Sequence, residues 1–265
     1  MAFRELLRGR LPEDAVRSIA REVARRHDEP LQSVAIVEVD NWLSLPLVVN
    51  DHLFVKIISQ RNVFVHRLLT AGRNLGAAST GTGGFFGGFE TPGEMAAHEF
   101  DATEEMIGAG VNAPEPFETF VHDGYGVVVM EYLDGFDTLD ARPADRVVEL
   151  VPELFAMLAT LHDAGLAHGD LRAENVLVVN GELYFIDATR VDTDAVEAAR
   201  GYDIACALAA LEPHVGPAAA VDAALEQYPD SSLLTARRYL DFVNVRPDHE
   251  FDAAGLKGTL DIRLG

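Results

Sequence analysis

His168-Gly169-Asp170-Leu171-Arg172-Ala173-Glu174-Asn175-Val176-Leu177, followed by Phe185-Ile186-Asp187, decides how the rest of the chain is placed. Between the two runs lie β-forming residues, Val176 to Val179 and Leu183 to Ile186, joined through Asn180-Gly181. Asn-Gly is a strong signal for a two-residue hairpin, because both central residues of a type I′ turn need positive φ. Such a hairpin returns Asp187 to the end from which Asn175 departs. Asp170 lies five residues before Asn175.

An acid, an amide and a second acid at one place suit a nucleoside triphosphate. ATP arrives with magnesium, a hard ion that takes oxygen ligands and keeps several waters, so one carboxylate and one amide oxygen suffice from the protein. Asn175 and Asp187 are the expected Mg2+ ligands, and Asp170 the carboxylate that orients the attacking hydroxyl. These residues resemble the catalytic core of the protein-kinase-like superfamily, whose loop reads H-R-D-x-x-x-x-N and whose metal-binding acid follows a short hairpin. Here Gly169 replaces the arginine. An arginine at that place answers a phosphorylated activation loop, so this chain lacks that switch. With HGDL the loop resembles instead the RIO-type atypical kinases and the aminoglycoside and choline phosphotransferases. The resemblance implies an α+β, two-lobed kinase-like fold, with a small antiparallel sheet in the N-lobe and a mostly helical C-lobe.

Composition bounds the rest. At 265 residues, 48% hydrophobic and 24% charged, the chain is long enough for two lobes around substantial cores. No run of 18 apolar residues and no signal-like start is evident, so a soluble, cytoplasmic protein without a membrane partner is expected. The one cysteine, Cys206, allows no intrachain disulfide. The 43 acids outnumber the 21 bases, giving a net charge of −22, and Lys56 and Lys257 are the only lysines. Acids spread in this way suit a cytoplasm of concentrated salt, where repulsion is screened, and an extreme halophile is expected. They also disfavour nonspecific nucleic-acid binding over most of the surface.

Residues 1–33 read as a basic helical segment, with arginines at 4, 8, 10, 17, 21, 25 and 26. Val16, Ile19, Ala20, Val23 and Ala24 recur at helical spacing behind Pro12. The basic face of residues 1–27 either packs on an acidic lobe or touches RNA or a ribosome. Residues 34–133 then read as the N-lobe. Three strands, Val34 to Val39, Leu45 to Val49 and Leu53 to Ile58, place Lys56 where the resemblance puts the lysine that pairs with nucleotide phosphates. The resemblance further implies that Glu99, on a helix from Gly93 to Gly108, holds Lys56 by an ion pair, with Glu94 as the competing acid. Val39 to Ser44 contains no glycine where the family has its glycine-rich loop, so either this loop covers the nucleotide more loosely or Asn41 and Ser44 donate to phosphate instead. Residues 76–93 carry seven of the 22 glycines and read as a mobile loop. Glu131 and Leu133 read as the hinge, where the resemblance implies that adenine bonds backbone groups.

Residues 134–265 read as the C-lobe. A long apolar-faced helix from Ala141 to His162 packs beneath the catalytic loop. After Asp187, helical Tyr202-Asp203-Ile204 follows too soon for an ordinary activation segment, and Asp203 is expected to brace the catalytic-loop backbone. The function implied is an ATP- and Mg2+-dependent phosphotransferase, foremost a RIO-like atypical serine/threonine protein kinase or ATPase. One alternative is a kinase of aminoglycoside- or choline-type small-molecule hydroxyls, with Asp222, Glu226 and Asp230 as substrate acids. Another is a nucleotide-binding pseudokinase. The phosphoryl acceptor, protein or small molecule, is not named by the sequence.

Overall fold

The structure, a computed structural model, describes residues 11–37, 43–79, 84, 86–189, 191, 195–245 and 250–265. Arginines 4, 8 and 10, residues 38–42 with Asn41, and residues 80–83 and 85 of the glycine-rich stretch lie outside the described residues. The chain forms two compact units. Unit 1 comprises residues 1–71, 88–104 and 114–134; unit 2 comprises 72–87, 105–113 and 135–265.

Unit 1 is built on an antiparallel sheet of β1 (Val34–Ile36), β2 (Leu45–Val49), β3 (Leu53–Ile58), β4 (Pro116–His122) and β5 (Tyr125–Glu131). The order across the sheet is β1-β2-β3-β5-β4. Successive side chains on a strand point to opposite faces, and the two faces here have different coverings. Helix α1 (Glu13–Arg26) lays Val16, Ile19, Ala20, Val23 and Ala24 against Leu47, Val55, Ile57, Val127 and Val129. The opposite face, with Ile58, Val128 and Met130, packs against Val63 of α2 (Gln60–Ser79), Phe89, and Met95 and Ala96 of α3 (Pro92–Gly108). Residues 13–26 of the basic segment are therefore part of the core of unit 1, anchored by their apolar stripe. Its cations are partly spent inside the unit, since Arg26 donates to Glu118 at 2.8 Å and lies 4.2 Å from the centre of the Phe120 ring.

Two described parts of the glycine-rich stretch, residues 76–79 and Phe86, take helical or buried positions where a mobile loop is expected. Residues 76–79 continue α2, as their Gly-Ala-Ala-Ser composition permits once a helix has started, and Pro92 opens α3. Between them Phe86 is buried, edge-on to Tyr202 at 5.4 Å, and its backbone is bracketed by the Asn74 side chain. A phenylalanine with a core to enter anchors a stretch that glycine content alone marks as loose.

Unit 2 is mostly helical. Helices α4 (Ala144–Asp163), α5 (Val196–Gln227), α6 (Asp230–Val245) and α7 (Ala253–Leu264) surround a core that includes Leu154, Phe155, Leu158, Tyr202, Leu208, Tyr239 and Leu240. A small sheet, β6 (Asp137–Thr138), β7 (Val176–Val179) and β8 (Glu182–Phe185), carries the hairpin read from the sequence. Asn180 and Gly181 turn it with φ of 53° and 91°. Among the described residues α5 is long and apolar enough to cross a membrane, a feature the absence of an 18-residue apolar run did not reveal. More than half of its apolar window is buried within the protein, and Gly216, at φ 76° between Pro213 and Pro217, interrupts the helix. Its apolar character is that of a core helix. The small antiparallel sheet of unit 1 and the helical unit 2 agree with the expected α+β class.

Candidate functional site

In unit 2 the decisive group is Asp203 on α5. Its carboxylate is fully buried and accepts hydrogen bonds from the backbone N–H of His168 at 2.7 Å and of Gly169 at 2.8 Å. His162 Nε2 lies 3.2 Å away, and His162 Nδ1 is 2.9 Å from the Tyr228 hydroxyl. Burial holds the Tyr228 hydroxyl well above the usual phenol range, so it stays protonated. A consistent arrangement has Tyr228 donating to Nδ1 and His162 donating from Nε2 to Asp203. A buried carboxylate is tolerable only with such partners, and bonds to an ionised acceptor are the stronger kind.

The loop held in this way runs on to Asp170, itself buried. The N–H of Asp170 donates to His168 Nδ1 at 3.3 Å, which requires that ring nitrogen to be unprotonated. Burial supplies the condition by pushing the His168 pKa down, against the pull of Asp203, Asp170, Asp187 and the backbone of Ile186. Gly169 takes φ 77°, and a Cβ there would meet the Thr189 carbonyl oxygen at 3.1 Å and a Val191 methyl at 3.1 Å. The glycine is thus required by backbone shape and by the close passage of residues 189–191. The Thr189 N–H also donates to the His168 carbonyl at 2.7 Å, tying the segment after Asp187 to the loop.

Asn175 is buried, and its side-chain Nδ2 donates to the Asp170 carbonyl at 2.8 Å. That bond fixes the amide and leaves Oδ1 as its acceptor atom. The Ile186 N–H donates to the Asn175 carbonyl at 3.1 Å, so the hairpin delivers Asp187, at φ 62°, next to Asn175 in the chain path. An amide oxygen and a carboxylate form a hard-oxygen donor set that fits magnesium. Among the described residues no three His, Cys, Asp or Glu side chains cluster as a metal site by themselves. The fit is therefore to a metal whose remaining ligands come from phosphate and water. Arg172 stands beside these groups, its Nε 3.6 Å from Asp170 Oδ2 and an Nη 3.4 Å from Asn175 Oδ1. Sequence reasoning passed over Arg172 and the His162–Tyr228 pair. Only the cation two residues after the acid could have drawn attention to the former.

In unit 1, Lys56 and Glu99 form an ion pair. Lys56 projects from the sheet face covered by α3, opposite to its neighbours Val55 and Ile57, and Glu99 lies on that helix. Both are largely shielded, with side-chain exposures of 5% and 15%. Glu94 is otherwise engaged. Its N–H donates to the Thr91 hydroxyl at 3.1 Å and its carboxylate accepts from the Glu90 N–H at 2.9 Å, closing the start of α3. Glu131 ends β5, exposed, with its N–H donating to the Glu115 carbonyl at 2.8 Å, and Leu133 is buried two residues on. Ser44 is buried at the entry to β2.

Comparison with known proteins was made against this geometry. Residues 90–206 match the sequence profile of the RIO domain, a span that includes Glu99, Asp170, Asn175, Asp187 and Asp203 and begins after Lys56. The match spans 117 of the 265 residues, so the likeness to the RIO domain is one of this segment. The chain is 34% identical over 98 residues to the KEOPS complex subunit Bud32 of Pyrococcus abyssi, covering 36% of this chain and 44% of that one. It is 38% identical over 80 residues to a probable bifunctional tRNA threonylcarbamoyladenosine biosynthesis protein of Methanothermobacter thermautotrophicus, covering 30% of this chain and 14% of that one. The chain thus spans less than half the length of these curated relatives. Among solved structures, an aminoglycoside-3′-phosphotransferase of type VIII shares the fold, with a TM-score of 0.50 at 16% identity, over 84% of this chain and 98% of that one.

Proposed function

We propose that this chain is an ATP- and Mg2+-dependent phosphotransferase, a RIO-like kinase of serine or threonine hydroxyls or an ATPase, working in a salt-rich cytoplasm. The observation that carries the reading is the loop suspended from Asp203, which sets Asp170 and fixes the Asn175 amide through the Asp170 carbonyl. Phosphoryl transfer depends mostly on positioning and charge, with little covalent work for the protein. Asp170 orients the acceptor oxygen and takes its proton. Asn175 and Asp187 would hold a magnesium ion, which would supply neutralising charge for the phosphates. Lys56, kept in place by Glu99, binds phosphate oxygens, and backbone groups at Glu131 and Leu133 hold the adenine. Because the Pyrococcus abyssi relative is named as a subunit of a complex, a protein partner is part of the proposal.

The test is nucleotide binding by calorimetry in concentrated salt, with and without magnesium. The parent protein should bind ATP in a magnesium-dependent way, and Asp187→Ala should abolish that dependence while circular dichroism stays unchanged. Unchanged affinity and unchanged magnesium dependence in the variant would remove the metal assignment. Supplying water alone, generic protein and a panel of hydroxyl metabolites as acceptors separates ATPase, protein kinase and small-molecule kinase.

A further inference from the structure

Residues 52–89 contain neither aspartate nor glutamate, although 43 acids in 265 residues would place about six there. The same stretch holds Lys56, Arg61, Arg67 and Arg73. Most of it that faces solvent in unit 1 is one side of α2. Gln60, Arg61, Phe64, Arg67, Leu68 and Ala71 are exposed there, while Val63, Val65, His66 and Thr70 are buried. The exposed positions follow helical spacing and form one stripe along the first three turns. At its centre Phe64 and Leu68, one turn apart, are 67% and 56% exposed. Arg61 and Arg67 flank them, and neither makes an ion pair with an acid among the described residues, unlike Arg25, Arg26, Arg146, Arg237 and Arg263. On two other helices the exposed apolar side chain stands among acids, Val148 between Asp145 and Glu149 and Ile107 beside Glu104 and Glu105.

We infer that this stripe is a docking surface for a protein partner whose apolar groove is rimmed by acidic side chains. A helix that presents two large apolar residues at i and i+4 between cations is shaped to lie in such a groove. Aromatic and arginine side chains are the residues that most often dominate such contacts. Charge complementarity selects the partner, because an acidic rim meets repulsion on the other helix faces named above and attraction here. A nucleic acid fits less well, since two arginines neutralise few phosphates and Leu68 offers a phosphate backbone nothing. A second copy of the chain related by a twofold axis would set Arg61 and Arg67 against themselves. The inference is independent of the catalytic reading, because none of these residues has been given a catalytic or binding role.

A photo-crosslinking amino acid at position 68 of the full chain, with position 148 as control, tests the inference in the cells that make the protein. The expected adduct is a protein joined at 68 and not at 148, through an apolar segment flanked by Asp or Glu. Reconstituted from purified components, the pair should weaken about tenfold or more with Leu68→Asp, and also with Arg61→Glu combined with Arg67→Glu. The second variant changes solvent-facing charges alone, so it keeps the test valid if Leu68→Asp fails to fold. ATP turnover by the free chain should not move. An adduct with RNA, with a second copy of the chain, or none at position 68 overturns the inference. So does a purified partner whose affinity ignores both variants.

Discussion

In unit 2 the acid-bearing loop hangs by its backbone from one buried carboxylate, whereas in unit 1 the lysine and its acid are joined side chain to side chain across 43 residues of sequence. The difference decides what each half can lose. A loop held through its own N–H groups has its path set by Asp203, so losing that acid releases Asp170 together with the loop. Lys56 sits on a strand that the sheet holds with or without Glu99, so breaking the pair changes the direction of an amine and little of the fold. Backbone tethering gives a rigid platform for positioning, and the ion pair gives an aimed charge.

Breaking the tether should give the largest effect. Asp203→Ala orphans two buried N–H groups and the His162 ring, and by the scale of disrupted buried charge networks it should cost about 3–5 kcal/mol. Chemical denaturation in fixed salt measures this, and a loss under about 1 kcal/mol would mean that the loop is held by other means. Lys56→Met should cost less stability, about 1–2 kcal/mol, because Glu99 keeps some access to water. It should nevertheless cut ATP turnover severely, and a variant with parental turnover would deny the phosphate role. The smallest effect is one of pH. The folded-state pKa of His168 is pushed down by burial, so the unfolded chain takes up a proton that the folded one refuses. Its stabilising contribution is complete above the ordinary histidine range and is lost as pH falls toward the depressed folded value. The slope is at most about 1.4 kcal/mol per pH unit below roughly pH 6.5. His168→Phe should flatten the stability curve in that window, which thermal melts across pH 5 to 7 can show.

The same contrast explains what the chain disclosed before any coordinates. The unit 2 half could be read because its geometry is contiguous: a loop, a hairpin with Asn-Gly at its tip, and an acid at its end, with Asp203 close behind. The Lys56–Glu99 pairing rested on a resemblance, since nothing local in the sequence of either residue names the other. It took the alternation of the sheet and the capping duty of Glu94 to distinguish the two acids. Gly169 was legible as a missing arginine but not as a residue with positive φ pressed against Thr189, because that contact involves the chain twenty residues on. Glycine content gave no sign of the helical continuation of α2 over residues 76–79 or of the buried Phe86. Arg172 went unremarked because its closeness to Asp170 and Asn175 is a matter of side-chain reach.

The central claim is that Asp170, held on its tethered loop, orients the oxygen that receives the phosphoryl group. Steady-state release of phosphate from ATP, or its transfer to acceptor, by the parent protein and by Asp170→Asn in concentrated salt tests it most directly. General-base and orienting help is typically worth about 10² to 10⁴ in rate, so the variant should bind ATP as the parent does and turn over slower by about that factor. A parent protein with no turnover toward water, protein or hydroxyl metabolites would contradict the account, as would an Asp170→Asn variant that works at the parental rate.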